Sequence, residues 1–261
     1  MSHLPNRISF ARVRESEPTG PRTIAASLAL ILILLGTASI APAAECARER
    51  AAMVETIRAY AQSGPPISGR VLQAMDETAR HLLIPQQPSC TEAYADRPLP
   101  IGRGQTISQP YIVALMTELA AVRQDDTVLE IGTGSGYQAA VLARLARKIC
   151  TMEIVAPLGE QAAVALKAQG YDNVEVRIGD GYRGFPECGP FDAIVITAGI
   201  GHVPQPLIDQ LKVGGRIVLP LGPVSAGQQL TVIEKIAPDR ITSRSVIAVR
   251  FVPFTGQQNQ K

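Results

Sequence analysis

The sequence predicts an α/β fold: a doubly wound, mostly parallel sheet with a helical addition at the N-terminus and antiparallel strands at the C-terminus. Three observations support this prediction. A β-branched and apolar strand over 127–131 runs into alternating glycines and then into an Ala-, Leu- and Arg-rich helix over 138–147. Short apolar runs then alternate with helical stretches, as parallel strands joined by right-handed crossovers require. Two strand-like segments with no helix between them, 230–234 and 245–251, end the pattern.

Residues 1–43 have the three parts of an export signal. A segment with four arginines precedes an apolar run over 24–40, and Ala41-Pro42-Ala43 supplies the small residues of a cleavage site after Ala43. The run is nearly long enough to span a bilayer, so an uncleaved anchor is the alternative. In either case the catalytic part is predicted to lie outside the cytoplasm. Cleavage would leave a periplasmic or secreted protein without stable membrane association, whereas translation from Met53 would give a cytoplasmic one.

Residues 44–92 form the predicted N-terminal helical segment. An Ala-, Arg- and Glu-rich stretch over 46–62 predicts one helix, which the Gly-Pro-Pro sequence at 64–66 ends. Apolar spacing predicts a second helix over 70–83. Arg80 and His81 are interpreted as its cationic last turn, where they interact with the helix dipole.

The four cysteines have no C-x-x-C spacing, which argues against a zinc site. Cys46 and Cys90 both lie outside the predicted nucleotide-binding core, so in an oxidising compartment a disulfide between them would tie down the N-terminal segment. Cys150 lies in a predicted strand and Cys188 in a loop, and simple burial is the favoured interpretation of this second pair.

The predicted catalytic domain, residues 93–261, begins with a loop rich in proline and glycine that is expected to be irregular. A helix follows from Pro110, a residue suited to a first helical turn, to Ala121. An ordered loop that leads into a helix N-terminus is a place for a binding site. Thr106 and Ser108 are the hydroxyls nearest that terminus, and on composition alone Ser108 is equally well explained as a helix cap.

The glycines after the first strand form the motif E-x-G-x-G-x-G from Glu130 to Gly136. Glycine lacks a Cβ, so it takes positive φ and lets backbone N–H groups contact a ligand. A dinucleotide site would place its third glycine one residue later, where Tyr137 stands, and a simple tight turn is the other explanation. Glu153 follows about twenty residues later, after the predicted strand 148–152, where an acid would accept hydrogen bonds from a ribose.

The remaining elements continue the alternation. Asp180, like Gly132 and Glu153, follows the carboxyl end of a predicted strand, where sheets of this kind bind ligands. It is a candidate acceptor for an adenine amino group, or a turn-forming residue beside Gly181. The predicted elements are a helix over 162–168, a strand over 174–178, a strand over 193–197, a helix over 206–211, a turn at Gly214-Gly215 and a strand over 216–219.

Composition and charge indicate a globular protein and argue against one class of partner. With 46% hydrophobic and 18% charged residues the chain is typical of globular proteins. A formal charge of +2, the lack of tryptophan and the lack of a Lys/Arg stripe with interleaved aromatics argue against a nucleic-acid partner.

Several segments together resemble the protein-L-isoaspartate O-methyltransferases. They are P-L-P-I-G-x-G-Q-T-I-S-Q-P-Y at 98–111, V-L-E-I-G-T-G-S-G-Y at 128–137, G-Y-x-N-V at 170–174, G-D-G at 179–181, F-D-A-I at 191–194, L-K-x-G-G-R at 211–216 and V-R-F-V-P-F at 249–254. The resemblance covers the chain from about residue 53 onward. The T-I-S-Q-P-Y segment is specific to that family, whereas S-adenosylmethionine-dependent methyltransferases at large share the glycine motif.

This resemblance implies a Rossmann-like class I methyltransferase that transfers a methyl group from S-adenosyl-L-methionine to the α-carboxylate of isoaspartyl residues in damaged proteins and peptides. The carboxylate has a solution pKa of about 4 and is already an anion at neutral pH, so no general base is required. The rate acceleration is instead expected to come from holding the carboxylate oxygen, the methyl group and the sulfur in line. We expect a monomer without a metal. The alternatives are a methyltransferase of the same fold acting on another carboxylate or small molecule, and a noncatalytic protein that binds isoaspartyl segments or the cofactor.

The resemblance also assigns residues to the site. Ser108 is the implied catalytic residue. The implied cofactor-binding residues are Gln105, Thr106, Ile107, Ser108, Val113, Glu130, Gly132, Thr133, Gly134, Gly136, Glu153, Ile154, Asp180, Gly181, Thr255 and Gln260. The implied substrate-binding residues are Thr106, Ser108, Val249, Phe251 and Val252. The sequence departs from the family at Ala198-Gly199-Ile200-Gly201, where extra glycine is expected to loosen the loop, and His202 on that loop is interpreted as a surface residue.

Overall fold

The computed structural model describes residues 45–223 and 227–256, and the N-terminal helical segment comes first. Helix α1 spans Ala47–Ser63 and helix α2 spans Gly69–Glu77. The second helix is shorter than predicted because the backbone turns extended at Thr78, with φ −96° and ψ 115°. The Thr78 hydroxyl donates to the Ala74 carbonyl at 2.7 Å, and a separate 3₁₀ turn, Arg80–Leu83, follows.

Arg80 and His81 were interpreted as the cationic last turn of the second helix, but that helix ends at Glu77, and both side chains are buried in the separate turn. The Arg80 guanidinium lies 4.8 Å from the centre of the Tyr137 ring, and its Nε donates to the Ala93 carbonyl at 2.8 Å. Burial lowers the pKa of Arg80 to about 10. The His81 Nδ1 pairs with the Tyr94 hydroxyl at 2.8 Å. Both side chains therefore support the packing of the N-terminal segment against the catalytic domain.

A short hairpin stands where the sequence indicated irregular structure. After helix α3, Cys90–Ala93, strands β1, Leu99–Gly102, and β2, Gln105–Ile107, pair antiparallel. The connection takes left-handed backbone, with φ 92° at Gly102 and 73° at Gly104, which glycine adopts without strain. Helix α4, Pro110–Ala120, begins three residues after the hairpin, as the proline predicted.

A seven-stranded sheet forms the centre of the fold and confirms the predicted class. Its order is β5-β4-β3-β6-β7-β8-β9, in which β5 to β7 run parallel and β8 and β9 run antiparallel. The chain moves to opposite sides of β3 with β4 and β6, which makes the end of β3 the switch point where such sheets bind ligands. The elements are β3 Thr127–Ile131, α5 Tyr137–Ala143, β4 Lys148–Glu153, α6 Ala156–Ala168, β5 Val174–Ile178, β6 Phe191–Ile196, α7 Gln205–Gln210, β7 Leu211–Leu221, β8 Gln228–Ala237 and β9 Arg240–Val249.

Gly214 and Gly215, the predicted turn, lie within the bounds of β7 but in an irregular part of it: Gly214 has φ 84°, and regular pairing with β6 resumes only at Arg216, where the strand was predicted to begin. The register of β6 against β7 shifts between Phe191 and Ala193, and the two backbones approach closely there. A Cβ on Gly215 would lie 2.7 Å from the Asp192 carbonyl oxygen. Position 215 therefore requires glycine, because β6 and β7 approach each other closely there.

Both cysteine pairs form disulfides. Cys46 is bonded to Cys90, which ties the start of α1 to the start of α3. Cys150 of β4 is bonded to Cys188 in the loop before β6, so simple burial is not the explanation for that pair.

The predicted export segment lies outside the described residues. No helix within residues 45–223 or 227–256 is both long enough and apolar enough to cross a bilayer.

Candidate active site

A cavity opens at the carboxyl ends of β3, β4 and β6. Its empty volume, counted out to the open mouth and including solvent there, is about 770 Å³. Its lining comes from the β1–β2 hairpin with Ser108, from Val113 of α4, from the glycine loop after β3 and the start of α5, from the segments after β4, β5 and β6, and from the C-terminal segment 252–255. The predicted cofactor-binding residues that line it are Gln105, Thr106, Ile107, Ser108, Val113, Glu130, Gly132, Thr133, Gly134, Glu153, Ile154, Gly181 and Thr255.

The glycine loop fits closely around its neighbours. Gly132 has φ 98°, and a Cβ there would lie 2.4 Å from Oγ1 of Thr197, which in turn donates to the Gly132 carbonyl at 2.7 Å. Gly136 has a different role, since it does not line the cavity. It has φ 84° at the start of α5, and a Cβ would lie 3.0 Å from Cδ1 of Leu166. The motif therefore divides between glycines that shape the cavity and one that lets α5 pack.

Glu153 fixes the glycine loop with its carboxylate. One oxygen, Oε2, accepts the Gly134 N–H at 2.8 Å, and Oε1 accepts the Val155 N–H at 2.8 Å. The side chain is buried and lines the cavity. Each carboxylate oxygen has two lone pairs, so both oxygens can still accept from hydroxyls of a ligand.

Glu130 places a second carboxyl group beneath the cavity. It is fully buried, and its Oε2 accepts from the Thr151 hydroxyl at 2.6 Å, which is itself 2.6 Å from the Thr133 hydroxyl. Its Oε1 is buried and makes no well-aligned hydrogen bond with the described residues, although the Ala139 N–H also favours the ionised form of the carboxyl group. Desolvation raises the pKa of Glu130 to about 8, and the nearby Glu153 charge adds to the shift while the Thr151 hydrogen bond opposes it. This unsatisfied acceptor suits a cationic or hydrogen-bond-donating group in the cavity.

Ser108 does not cap helix α4, although the sequence left that role open. The N-cap residue is Gln109, whose side chain makes no capping bond, and the carboxylate of Asp96 accepts the Tyr111 N–H at 2.8 Å instead. Within the described part of the chain, the hydroxyls of Ser108 and Thr106 have no hydrogen-bond partner. Both line the cavity and are available to a ligand.

The C-terminal segment after β9 closes one side of the cavity. The loop at Gly199 is held against it, because the Gly199 N–H donates to the Val252 carbonyl and the Phe254 N–H donates to the Gly199 carbonyl, both at 2.8 Å. The expectation of a loosened loop is therefore wrong. Val252 lines the cavity, whereas Val249 and Phe251 do not, and Gln260 lies outside the described residues.

Asp180 takes the turn role rather than a place in the cavity wall. Its Oδ1 accepts the Tyr182 N–H at 3.0 Å and caps the 3₁₀ turn Gly181–Arg183. Gly181 does line the cavity, and a Cβ on it would overlap the Ile131 side chain. His202 is exposed, as predicted, and its Nε2 pairs with the Tyr182 hydroxyl at 2.8 Å.

Some lining residues were not predicted. Most are chain neighbours of predicted ones, whereas Thr197 and Ala198 follow β6, for which the carboxyl-end rule for open sheets was the available signal. The main examples are Ser135, Tyr137, Gln138, Met152, Val155, Gly179, Thr197, Ala198, Pro253 and Phe254.

Two clusters have metal-ligand composition, Glu45-Cys46-Cys90 and Cys150-Glu175-Cys188, but the sulfurs of each belong to a disulfide.

Gly199→Ala is expected to lower the Tm by about 5 °C, because inserting a methyl group into a packed site costs about 1–3 kcal/mol. The new Cβ would lie 2.9 Å from Cδ and Nε2 of Gln228. That buried amide cannot move freely, since its Oε1 accepts the Phe251 N–H at 2.9 Å. Thermal unfolding measures the effect, with Gly201→Ala as the matched control because its Cβ would meet nothing within 4 Å. An unchanged Tm for Gly199→Ala would mean that Gln228 repacks without cost.

Comparison with known proteins gives a consistent result. The family model described as protein-L-isoaspartate(D-aspartate) O-methyltransferase matches residues 49–259. A relative from Nitrosospira multiformis named protein-L-isoaspartate O-methyltransferase 1 is 52% identical over 214 residues, which is 82% of this chain and 90% of the relative. One from Cupriavidus necator is 48% identical over 250 residues, covering 92% of this chain and 95% of the relative.

Solved structures agree in fold. A structure titled protein-L-isoaspartate O-methyltransferase has a TM-score of 0.73 at 29% identity, and the match covers 79% of this chain and 66% of that one. A beta-aspartate methyltransferase from Plasmodium falciparum, in complex with S-adenosyl-L-homocysteine, has a TM-score of 0.68 at 23% identity over 79% of this chain and 98% of that one.

Proposed function

Because the chain belongs to the protein-L-isoaspartate(D-aspartate) O-methyltransferase family, we propose that the cavity at the end of β3 is its active site. The enzyme transfers a methyl group from S-adenosyl-L-methionine to the carboxylate of isoaspartyl residues in proteins and peptides. The observation that carries the assignment is that the T-I-S-Q-P segment brings two unpaired hydroxyls, Thr106 and Ser108, to the cavity formed by the glycine loop.

The residues present fit the donor. Glu153 has lone pairs available for ribose hydroxyls, and Gly132 and Gly134 bring the positive-φ backbone of the glycine loop to the cavity wall. The unsatisfied Oε1 of Glu130 suits the positive charge of the donor's amino acid portion. When bound, S-adenosyl-L-methionine supplies the methyl group on an activated sulfonium.

The acceptor carboxylate makes light demands on the protein. It is an anion at neutral pH, so the site has to orient it rather than deprotonate it. The Ser108 and Thr106 hydroxyls can each donate a hydrogen bond to it and hold one oxygen in line with the methyl group. Orientation of this kind can contribute roughly 7 to 11 kcal/mol to a bimolecular reaction. Ser108 is thus assigned as the residue that positions the reacting oxygen.

The decisive assay is methyl transfer from labelled S-adenosyl-L-methionine to a synthetic isoaspartyl peptide and to its aspartyl twin. We expect label in the isoaspartyl peptide alone, released as methanol by mild base, as a carboxyl ester requires. Equal labelling of both peptides would point to another carboxylate as the natural acceptor. Binding of S-adenosyl-L-homocysteine with no transfer to either peptide would overturn the proposal in favour of a noncatalytic protein.

Ionisation of Glu130 is expected to destabilise the ligand-free enzyme. Its folded pKa of about 8 lies above the ordinary value of 4.5, so its contribution to stability is fully present below about pH 4.5 and is lost as pH rises through about 8. Glu130→Gln stays neutral, so its Tm relative to wild type should rise by about 5 °C between pH 6 and pH 9. Thermal unfolding across this range tests the sign, with the exposed Glu160→Gln as control.

The affinity for the donor should change in the opposite direction, because a cationic ligand favours the ionised carboxyl group. Titration calorimetry with S-adenosyl-L-methionine should give wild-type affinity that increases from pH 6 to pH 8 and a flatter profile for Glu130→Gln. Parallel profiles for the two proteins would show that Glu130 does not face the ligand's charge.

We also propose that the protein is exported and works outside the cytoplasm, as a monomer without a nucleic-acid partner. The support is the basic and apolar pattern of residues 1–43 and the pairing of all four cysteines, which suits an oxidising compartment. Expression of the full chain in a Gram-negative host, followed by osmotic shock and N-terminal sequencing, should find Ala44 first in the periplasmic fraction. Retention in the cytoplasm with Met1 or Met53 first would contradict export. Light scattering of the purified protein, alone and with nucleic acid, tests the remaining two statements.

A further inference from the structure

Asp96 holds the segment that carries Ser108. Its Oδ1 accepts the Tyr111 N–H and its Oδ2 accepts the Gln109 side-chain amide, both at 2.8 Å. These two partners lie one and three residues after Ser108. The carboxylate therefore clamps the chain on the C-terminal side of the serine, at the point where the loop becomes helix α4.

This clamp replaces the cap that the helix would otherwise take from its own loop. The N-cap residue of a helix often gives its side-chain oxygen to a backbone N–H of the first turn. Here that donor is satisfied from 15 residues upstream, and the Gln109 side chain makes no capping bond. Ser108 lies one residue before this N-cap, and its hydroxyl has no hydrogen-bond partner within the described residues, so it is available to a ligand.

The position of Asp96 is itself fixed by the N-terminal segment. The Ala93 carbonyl accepts from Nε of Arg80 at 2.8 Å, and the disulfide at Cys90 holds the start of the same short helix. The buried Arg80 guanidinium stacks on Tyr137, which lines the cavity, and its positive charge interacts favourably with Asp96. The segment 90–97 thus connects the N-terminal helices to the acceptor side of the site.

We infer that Asp96 is a positioning residue for methyl transfer: by satisfying the N-terminus of α4 and the Gln109 amide, it leaves the Ser108 hydroxyl free and directed at the acceptor carboxylate. This inference rests on the proposed function. Its charge and its two hydrogen bonds lie outside the cavity, so it acts through Ser108 and does not contact the reacting atoms.

The test compares Asp96→Ala, Asp96→Asn and wild type in steady-state methylation of the isoaspartyl peptide, with S-adenosyl-L-homocysteine titration to count folded sites. Asp96→Ala should lower kcat per folded site by about 10-fold or more, while its Kd for S-adenosyl-L-homocysteine stays within about threefold. Asp96→Asn should retain kcat within about threefold, because its Oδ1 accepts the Tyr111 N–H and the Gln109 amide can turn to accept from its Nδ2. Asp126→Ala is the matched control, since Asp126 also accepts a backbone N–H, from Arg123 at 2.7 Å. Asp126 directly precedes β3, at the end of that strand away from the cavity.

Gln109→Ala gives a second measurement if Asp96→Ala does not fold. It removes one of the two bonds and should lower kcat about threefold. A kcat equal to wild type in Asp96→Ala would overturn the inference, and so would a wild-type kcat in Gln109→Ala if that variant has to be used. A loss of activity in Asp96→Ala that is fully explained by fewer folded sites would also overturn it. Wild-type enzyme is assayed alongside, so an inactive wild type identifies failure of the proposed function, whereas active wild type with unaffected variants identifies failure of the positioning role alone.

Discussion

Ser108→Ala is expected to lower kcat on an isoaspartyl peptide by about 100-fold, the size of effect that a small misplacement of reacting groups produces. The hydroxyl lines the cavity and has no partner within residues 45–223 and 227–256, so its removal breaks no hydrogen bond of the described fold. The Tm and the Kd for S-adenosyl-L-homocysteine should therefore stay close to the wild-type values. Single-turnover methylation, thermal unfolding and titration calorimetry measure the three quantities.

Ser243→Ala is the control for this substitution, because Ser243 is exposed on the edge strand β9. Full activity in Ser108→Ala would mean that Thr106 or backbone N–H groups orient the carboxylate without the serine. Loss of cofactor binding together with kcat would instead assign Ser108 to the donor pocket. Only a fall in kcat at constant cofactor affinity supports its role in positioning the acceptor.

Much of the fold was predictable because its signals are local. The strand Thr127–Ile131, the glycines after it and the helix that follows each have a composition that is typical of one structure. The hairpin at 99–107 was missed for the same reason: its glycines and Pro100 indicate irregular structure when only composition is considered. A two-stranded hairpin has no central strand, so a proline is tolerated there. Pairing with Thr106 across the hairpin is what reveals the strand.

The site was predictable where a motif fixes spacing and less so where distant segments meet. Glu153 and Gly132 follow from the distance between strand ends, and both line the cavity. Asp96 was not identified, because nothing near it in the sequence shows that it caps a helix that begins 14 residues later. Arg80 was misinterpreted because a charge near a helix end is usually exposed, and only tertiary packing buries it against Tyr137.

Glu153→Ala is expected to raise the Kd for S-adenosyl-L-homocysteine by about 100-fold or more. The substitution removes the acceptor that we propose for ribose hydroxyls and also leaves the N–H groups of Gly134 and Val155 without their partner. Hydrogen bonds to a charged group contribute about 1.5–3 kcal/mol each, so the loss of two to the ligand alone accounts for that factor. The glycine loop is expected to lose its fixed position as well, which weakens binding further.

Glu153→Gln separates these two contributions. Glutamine keeps one oxygen, so it can accept one of the two backbone N–H groups, but its NH₂ group faces the other donor. Its affinity for S-adenosyl-L-homocysteine should therefore lie between that of wild type and that of Glu153→Ala, as measured by titration calorimetry beside the exposed Glu160→Ala control on α6. Equal affinity in Glu153→Gln and wild type would show that neither the charge nor the second oxygen contributes to binding. Equal loss in both variants, with an unchanged Tm, would instead assign the whole effect to the ribose and none to the loop.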